Sequence, residues 1–165
     1  MAFFQIITMV QVWKLCSQGK LNKVRRALAR GEDVNSASGG EKKTGLMWAV
    51  ASVGCGRLNS GSTVSRWAIV RLLLAQPSVD LNCVDSKGWT ALQHAAYSDN
   101  AEGVRLLLDD PRLTTANHKS DSDGTPVMQA MLYECEEALN ELVHHPSVDL
   151  DTTDGEGRTL EDLAR

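Results

Sequence analysis

Histidines, cysteines and clustered carboxylates are the side chains most able to do chemistry, and this chain of 165 residues spaces them poorly for it. His144 and His145 are adjacent, so their rings cannot readily converge on one metal ion, and Pro146 directly after them indicates a helix end. The four cysteines are far apart and include no Cys-x-x-Cys pair: Cys16, Cys55, Cys83 and Cys135. We therefore predict no metal site, and free thiols in a reducing compartment, the cytosol or the nucleus.

Nucleotide, calcium and hydrolase patterns are also incomplete. Gly54 and Gly56 suggest a phosphate-binding loop, but the Gly-Lys-Ser/Thr ending and a preceding strand are missing. The carboxylates at residues 109–110 and 121–123 lack the spacing of a calcium-binding loop. No Gly-x-Ser-x-Gly turn is present to expose a nucleophilic serine. We predict that the chain is not an enzyme and needs no cofactor.

The elements that would have to position any site come from a phrase that recurs three times. It runs from a proline to a threonine at residues 77–90, 111–125 and 146–159, and the threonines are spaced by 35 and then 34 residues. Self-similarity at a period of this length is typical of a stacked-repeat solenoid.

Each repeat predicts a pair of short helices. After Thr90, the small apolar residues at 92–96 and the run at 104–108 suit two amphipathic helices of about two turns each. Asn100 and, in the preceding unit, Ser65 stand where a cap would begin the second helix. The prolines that follow stop the helices, and the Asp-x-x-Gly stretches after them, as at residues 85–88, predict turns. Helix pairs this short must stack to bury their apolar faces.

The phrase that opens each unit resembles the Thr-Pro-Leu-His-x-Ala-Ala phrase of ankyrin repeats. It stands at residues 44–50, 90–96 and 125–131, and the leucine run and Val-Asn of that family are best matched by residues 72–74 and 81–82. The resemblance implies an all-α solenoid of stacked helix-turn-helix units with β-turn connections. We expect one domain over residues 1–165. Its units would span about 1–36, 37–83 with an insertion near 52–65, 84–118 and 119–152, followed by a partial unit at 153–165.

The chain departs from the family pattern at two kinds of position. The histidine that usually bonds between neighbouring units is Met47, Gln93 and Met128 here, and methionine cannot replace that bond, so we expect a looser array. Asp99 and Glu134 occupy a position where the family prefers glycine in a left-handed conformation. Glutamate tolerates that conformation worse than aspartate, so we expect the last full unit to be the least secure.

Two segments fall outside the repeats. Residues 1–12 are uncharged and mostly apolar, and they lack the positive start and cleavage site of a secretory signal. We favour a helical lid over the end of the stack, with a targeting or membrane-contact role as the alternative. Residues 52–65 hold a glycine- and serine-rich insertion, which we interpret as a mobile surface loop, with a binding role as the alternative.

Charge changes sign along the chain. Residues 1–75 hold 11 Lys and Arg against 3 Asp and Glu, whereas residues 76–165 hold 6 against 18, for a net charge of −4. The extremes are a basic cluster at Lys20, Lys23, Arg25, Arg26 and Arg30 and an acidic cluster at Glu134, Glu136, Glu137 and Glu141. We interpret both as solvated helix faces. The alternatives are electrostatic steering of a polar partner and head-to-tail self-association.

Ankyrin-repeat domains generally bind partners through a concave face made of the turn tips and the exposed positions of each unit's first helix. The register places ten candidate partner-binding residues there: Trp48, Val84, Ser86, Lys87, Trp89, His94, Tyr97, Ser98, Gln129 and Tyr133. Exposed aromatic side chains are good anchors because they bury much area at little entropic cost. For Trp48 and Trp89, packing across unit boundaries is the alternative.

The predicted function is therefore that of a non-catalytic protein–protein interaction module. We expect the chain to bind another protein through the concave face, as a monomer and without membrane contact. The alternatives are nucleic-acid binding by the basic first unit, which is the weaker one, and a regulatory or scaffold domain cut from a larger protein.

Overall fold

The computed structural model describes residues 11–51, 63–122 and 124–164, and in these residues it places nine α-helices and no strand. The helices are α1 Val12–Ser17, α2 Leu21–Ala29, α3 Gly45–Ala51, α4 Thr63–Leu74, α5 Ala91–Tyr97, α6 Ala101–Leu108, α7 Pro126–Leu132, α8 Glu136–His144 and α9 Leu160–Leu163. The predictions for residues 1–10 and for the insertion at 52–62 lie outside the described residues.

The helices form two layers. Each odd-numbered helix packs against the next odd-numbered one, and each of them up to α7 also packs against the helix that follows it: α1 with α2, α3 with α4, α5 with α6 and α7 with α8. The core lies between the layers, and its fully buried aliphatic side chains include Val24, Leu46, Leu73, Leu92, Leu107 and Leu142. Burying one such side chain stabilises the fold by about 1.5–3 kcal/mol. The expectation of an all-α solenoid of stacked helix pairs is confirmed for the described residues.

The repeated threonine explains where the first helices begin. Thr90 caps α5 by accepting the amide of Gln93, whose side chain bonds back to the amide of Thr90 at 2.9 Å. Thr125 caps α7, and Thr159 repeats the capping box with Asp162 in α9. Because each cap satisfies amides that a helix end leaves without a partner, the threonine fixes where the first helix begins in each unit that carries it.

The second helices confirm one predicted cap and correct another. The Asn100 side chain accepts the amide of Gly103 at 2.8 Å and donates to the carbonyl of Val50 at 2.8 Å, so it caps α6 and ties that helix to α3. Ser65, by contrast, lies inside α4, which begins two residues earlier at Thr63. The prediction failed because the glycine- and serine-rich sequence before α4 offers several residues that suit a cap.

The turn between the two helices of a unit is left-handed, as predicted. Its φ angle is 66° at Gly19, 51° at Asp99 and 54° at Glu134. Asp99 has a second role, because its carboxylate accepts the amide of Ala138 in the first turn of α8 at 2.9 Å. Aspartate at this position has a steric cost that glycine would not have, but it also forms a bond to the next unit that glycine could not form.

An asparagine at the end of each of the first three units bonds to the loop of the next one. Asn35 donates to the carbonyl of Ser78 and accepts the amide of Asp80, both at 2.8 Å. Asn82 and Asn117 repeat this pair of bonds with residues 112 and 114 and with residues 147 and 149. Three similar junctions therefore hold the units in one register.

Gln93 takes the place of the histidine that the family uses between units. Its amide nitrogen donates to the carbonyl of Gly124 in the following unit at 2.8 Å and to that of His118, at the boundary between the two units, at 3.3 Å. At the equivalent position of the second unit, the sulfur of Met47 accepts the amide of Thr44 within its own unit. The expected loosening therefore concerns the methionine positions and not Gln93.

Candidate partner-binding face

Backbone hydrogen bonds join the turn tips of neighbouring units to one another. The amide of Ser86 donates to the carbonyl of Glu41 at 2.9 Å, and the amide of Asp121 donates to the carbonyl of Lys87 at 3.2 Å. His118 also bonds to the carbonyl of Gly88 through Nε2 at 3.0 Å. These bonds join the tips of three successive units into one rigid edge.

Three aromatic side chains form a row beside this edge. The rings of Trp89 and Tyr97 are 5.3 Å apart in an edge-to-face arrangement, and those of Tyr97 and Tyr133 are 4.6 Å apart in the same way. Tyr97 is 44% exposed and Tyr133 is 55% exposed, while Trp89 is half-buried. Edge-to-face contacts hold the rings in place, so the row offers an ordered apolar surface.

A buried pair, Asp85 and His94, lies beneath the row. Oδ2 of Asp85 is 2.9 Å from Nε2 of His94, and the His94 ring is 5.2 Å from that of Trp89. Oδ1 of Asp85 accepts the amides of Lys87 at 2.8 Å and Trp89 at 3.0 Å. This one carboxylate therefore holds the turn and joins it to α5.

Burial lowers the pKa of His94 below its ordinary value, and this effect outweighs the bond to Asp85. Burial would raise the pKa of the Asp85 carboxyl, but the amides of Trp89 and Lys87 and the His94 imidazole together lower it. The pair at neutral pH is therefore an aspartate that accepts a hydrogen bond from a neutral imidazole.

The row and the turn enclose a pocket of about 330 Å³ on the concave face. We call it the concave pocket, and its lining residues are Lys43, Ala51, Asp85, Lys87, Trp89, His94, Tyr97, Ser98 and Tyr133. The Lys43 ammonium lies 5.0 Å from the centre of the Trp48 ring and 3.4 Å from the carboxylate of Glu41. Two lysines from neighbouring units thus border an aromatic wall.

Comparison with protein families decides what kind of repeat this is. A family model described as ankyrin repeats (3 copies) matches residues 62–154, which is more than half of the chain. The chain belongs to the ankyrin-repeat family. No curated protein matches it. Ankyrin-repeat domains generally mediate protein–protein interactions and are typically non-catalytic.

The ankyrin stack exposes seven of the ten predicted binding residues to different degrees. Val84, Ser86, Lys87, Tyr97 and Tyr133 are exposed, and Trp48 and Trp89 are half-buried. Six of the ten (Lys87, Trp89, His94, Tyr97, Ser98 and Tyr133) line the concave pocket. The structure thus brings together side chains from two adjacent units, as the register predicted.

The expectation of exposure is wrong for three residues. His94 is held inward by Asp85, and Ser98 is buried because its hydroxyl donates to the carbonyl of Ala51, at the end of α3, at 3.1 Å. Gln129 is 3% exposed and lies against Gly124. Ser98 therefore bonds to the neighbouring unit, whereas His94 and Gln129 are buried against residues of their own units.

Sequence reasoning missed Lys43 and Asp85 as pocket residues. Lys43 precedes Thr44 just as Trp89 precedes Thr90, so the repeat register could have found it. Asp85 was predicted as a turn residue, and nothing in its spacing revealed the bond to His94.

Two of the described cysteines are poor nucleophiles, and no metal cluster is found in the part of the chain that the structure describes. Burial raises the pKa of the Cys16 thiol to about 12, and burial together with the nearby Asp80 raises that of Cys83 to about 11. No group of three or more His, Cys, Asp or Glu side chains in the described ranges could hold a metal ion. Within the same ranges, no helix is long and apolar enough to span a membrane.

Proposed function

We propose that this ankyrin-repeat protein binds another protein, without catalysis, through the concave face of its second, third and fourth units. The observation that supports this most is the exposed row of Trp89, Tyr97 and Tyr133. Large rings on a surface that is already ordered lose little side-chain entropy when a partner covers them, so more of their burial becomes affinity.

The rigid turn tips support the same proposal. Bonds between the tips of neighbouring units fix the distances between Ser86, Lys87 and the aromatic row. A binding surface assembled in advance needs no reorganisation, which is a recurrent source of affinity in protein complexes. We extend the proposal to one domain made of all the units, because α1 and α3 pack together as α3 and α5 do.

The Asp85–His94 pair does not suggest catalysis. A catalytic dyad needs a nucleophile within reach of the imidazole, and the nearby Ser98 hydroxyl donates to the carbonyl of Ala51. Nε2 of His94 bonds to Asp85, so the pair is satisfied within the fold. We also propose the cytosol or nucleus as the location of the protein, because Cys16 and Cys83 are free thiols.

The test is capture of partners by the wild-type protein and by a Trp89→Ala, Tyr97→Ala double variant. Loss of two anchors should weaken a bound partner by at least about 30-fold, which removes it from the captured set. Leu150→Ala, at another exposed apolar residue, is the matched control and should retain the partner. Circular dichroism must show that the double variant keeps its helices. Equal capture by the wild type and a folded double variant would refute the proposal.

A second candidate rests on the first unit. Lys20, Lys23, Arg25, Arg26 and Arg30 are all exposed, and none forms an ion pair with a carboxylate in the described residues. Such a surface suits the phosphates of a nucleic acid. Fluorescence polarisation with single-stranded DNA and RNA between about 50 and 200 mM salt would show a steep loss of affinity. Absence of binding at the lower salt would remove this candidate.

A further inference from the structure

We infer that the concave pocket takes a carboxylate side chain, an aspartate or glutamate of an extended partner segment, followed or preceded by an apolar side chain. This inference rests on the proposed function and specifies the chemistry of the partner at that same face.

The one acidic residue that lines the pocket cannot repel such a carboxylate strongly. The side chain of Asp85 is 1% exposed, and its oxygens accept the amides of Lys87 and Trp89 and the imidazole of His94. Three donors directed at one carboxylate stabilise its charge without cancelling it, because the amides and the imidazole are neutral. The carboxylate is buried, and its oxygens are directed at donors inside the fold and not at an occupant of the pocket.

The groups that remain available in the pocket are cationic or donate hydrogen bonds. Lys87 is exposed and forms no ion pair with any described carboxylate. Lys43 is held over the Trp48 ring, where it keeps 21% of its side-chain surface exposed and pairs with Glu41 at the rim. A carboxylate is complementary to the ammonium group of Lys87, and it is the commonest protein side-chain group that accepts from an ammonium.

The aromatic side of the pocket favours an apolar side chain next to the bound carboxylate. Tyr97 and Tyr133 stand in contact at one side of the pocket, each exposed over about half of its surface. A side chain adjacent to the bound carboxylate would cover these rings. Covering them also removes water from around Lys87, which strengthens its attraction for the carboxylate.

The test begins with a phage-displayed library of random short peptides, selected on the wild-type protein and depleted on the Trp89→Ala, Tyr97→Ala variant. We expect the selected sequences to be enriched in aspartate or glutamate next to an apolar residue. A selected peptide should bind Lys87→Glu at least about tenfold more weakly than wild type, because attraction becomes repulsion. Lys23→Glu makes the same change of charge in the first unit, away from the pocket, and should alter the affinity less than about twofold.

A charge swap completes the test. Replacing the acidic residue of the peptide with lysine should weaken its binding to wild type and restore part of its binding to Lys87→Glu. Selected peptides that need the aromatic row but show no acidic enrichment, or that bind Lys87→Glu as wild type, would overturn this inference and leave the proposed function standing. Peptides that bind the wild type and the double variant equally would overturn both.

Discussion

The imidazole of His94 and the carboxylate of Asp85 join the turn of the third ankyrin unit to its first helix across 2.9 Å. The same carboxylate accepts the amide of Trp89 and so holds the backbone at the first residue of the aromatic row in place. The Asp–His pair does not occur in the two neighbouring units. The equivalent positions are glycine and tryptophan in the second unit (residues 39 and 48) and serine and glutamine in the fourth (residues 120 and 129). The pair therefore stabilises the part of the stack that presents the pocket.

Stability should fall in mildly acidic solution because of His94. Its pKa in the folded state lies below the ordinary value of 6.5, so the unfolded chain binds more protons as the pH falls through this range. The contribution of His94 is complete above about pH 6.5 and is lost as the pH approaches the folded-state pKa. Urea unfolding at about pH 7.5 and 5.5 should show a drop in the free energy of unfolding.

The control for this pH effect is His94→Gln, which cannot titrate. Its curve should be flatter than that of wild type over the same pH range, although the variant is less stable at pH 7.5. If wild type and His94→Gln lose stability equally, another group causes the change. Asp85 should contribute a separate loss at lower pH, since its folded-state pKa lies below 3.8.

The left-handed turns give a pair of opposite predictions. Glu134→Gly should stabilise the fold by about 0.5–1 kcal/mol, because glycine removes the steric cost at φ 54° and loses no contact with another unit that the structure describes. Asp99→Gly gains the same relief but loses the bond to the amide of Ala138, a helix-capping contact worth about 1 kcal/mol. Urea unfolding should therefore show a gain for Glu134→Gly and little or no gain for Asp99→Gly. Equal gains would mean that the Asp99 cap contributes nothing.

The amide of Gln93 should be required for the junction between the third and fourth units. Gln93→Met keeps the length of the side chain but removes its bonds to the carbonyls of Gly124 and His118 and to the buried amide of Thr90, so we expect a loss of about 2–3 kcal/mol. Met128→Leu, at the equivalent position of the next unit, should cost less than about 1.5 kcal/mol. Chemical denaturation of both variants measures the difference. Similar losses for the two would show that packing, and not the hydrogen bonds, stabilises the junction.

The repeat period could predict most of the fold, because the contacts that begin the helices join residues close together in the sequence. Helix starts are defined by contacts between residues three positions apart, such as Thr90 with Gln93 and Asn100 with Gly103. Such short spacings can be read from the sequence. The start of α4 escaped prediction because its preceding insertion has no counterpart in the other units. A repeated pattern predicts only what repeats.

The site could be predicted only in outline. The register placed Trp89, Tyr97 and Tyr133 on one face, but it could not show that their rings are in contact or that Lys43 borders them from another unit. His94 and Gln129 looked equivalent to surface positions, but His94 is held by Asp85 and Gln129 lies against Gly124, contacts that the repeat spacing does not reveal. Contacts between units require the structure.

Photo-cross-linking from the concave face tests the central claim most directly. A benzoylphenylalanine in place of Tyr97 or Tyr133, both exposed, lies where the partner should be, and one in place of the exposed Glu137 on α8 serves as the control. After irradiation in the source cells, we predict the same partner protein attached at positions 97 and 133 and not at 137. Attachment of that partner at 137 alone, or equally at all three positions, would contradict binding through the concave face.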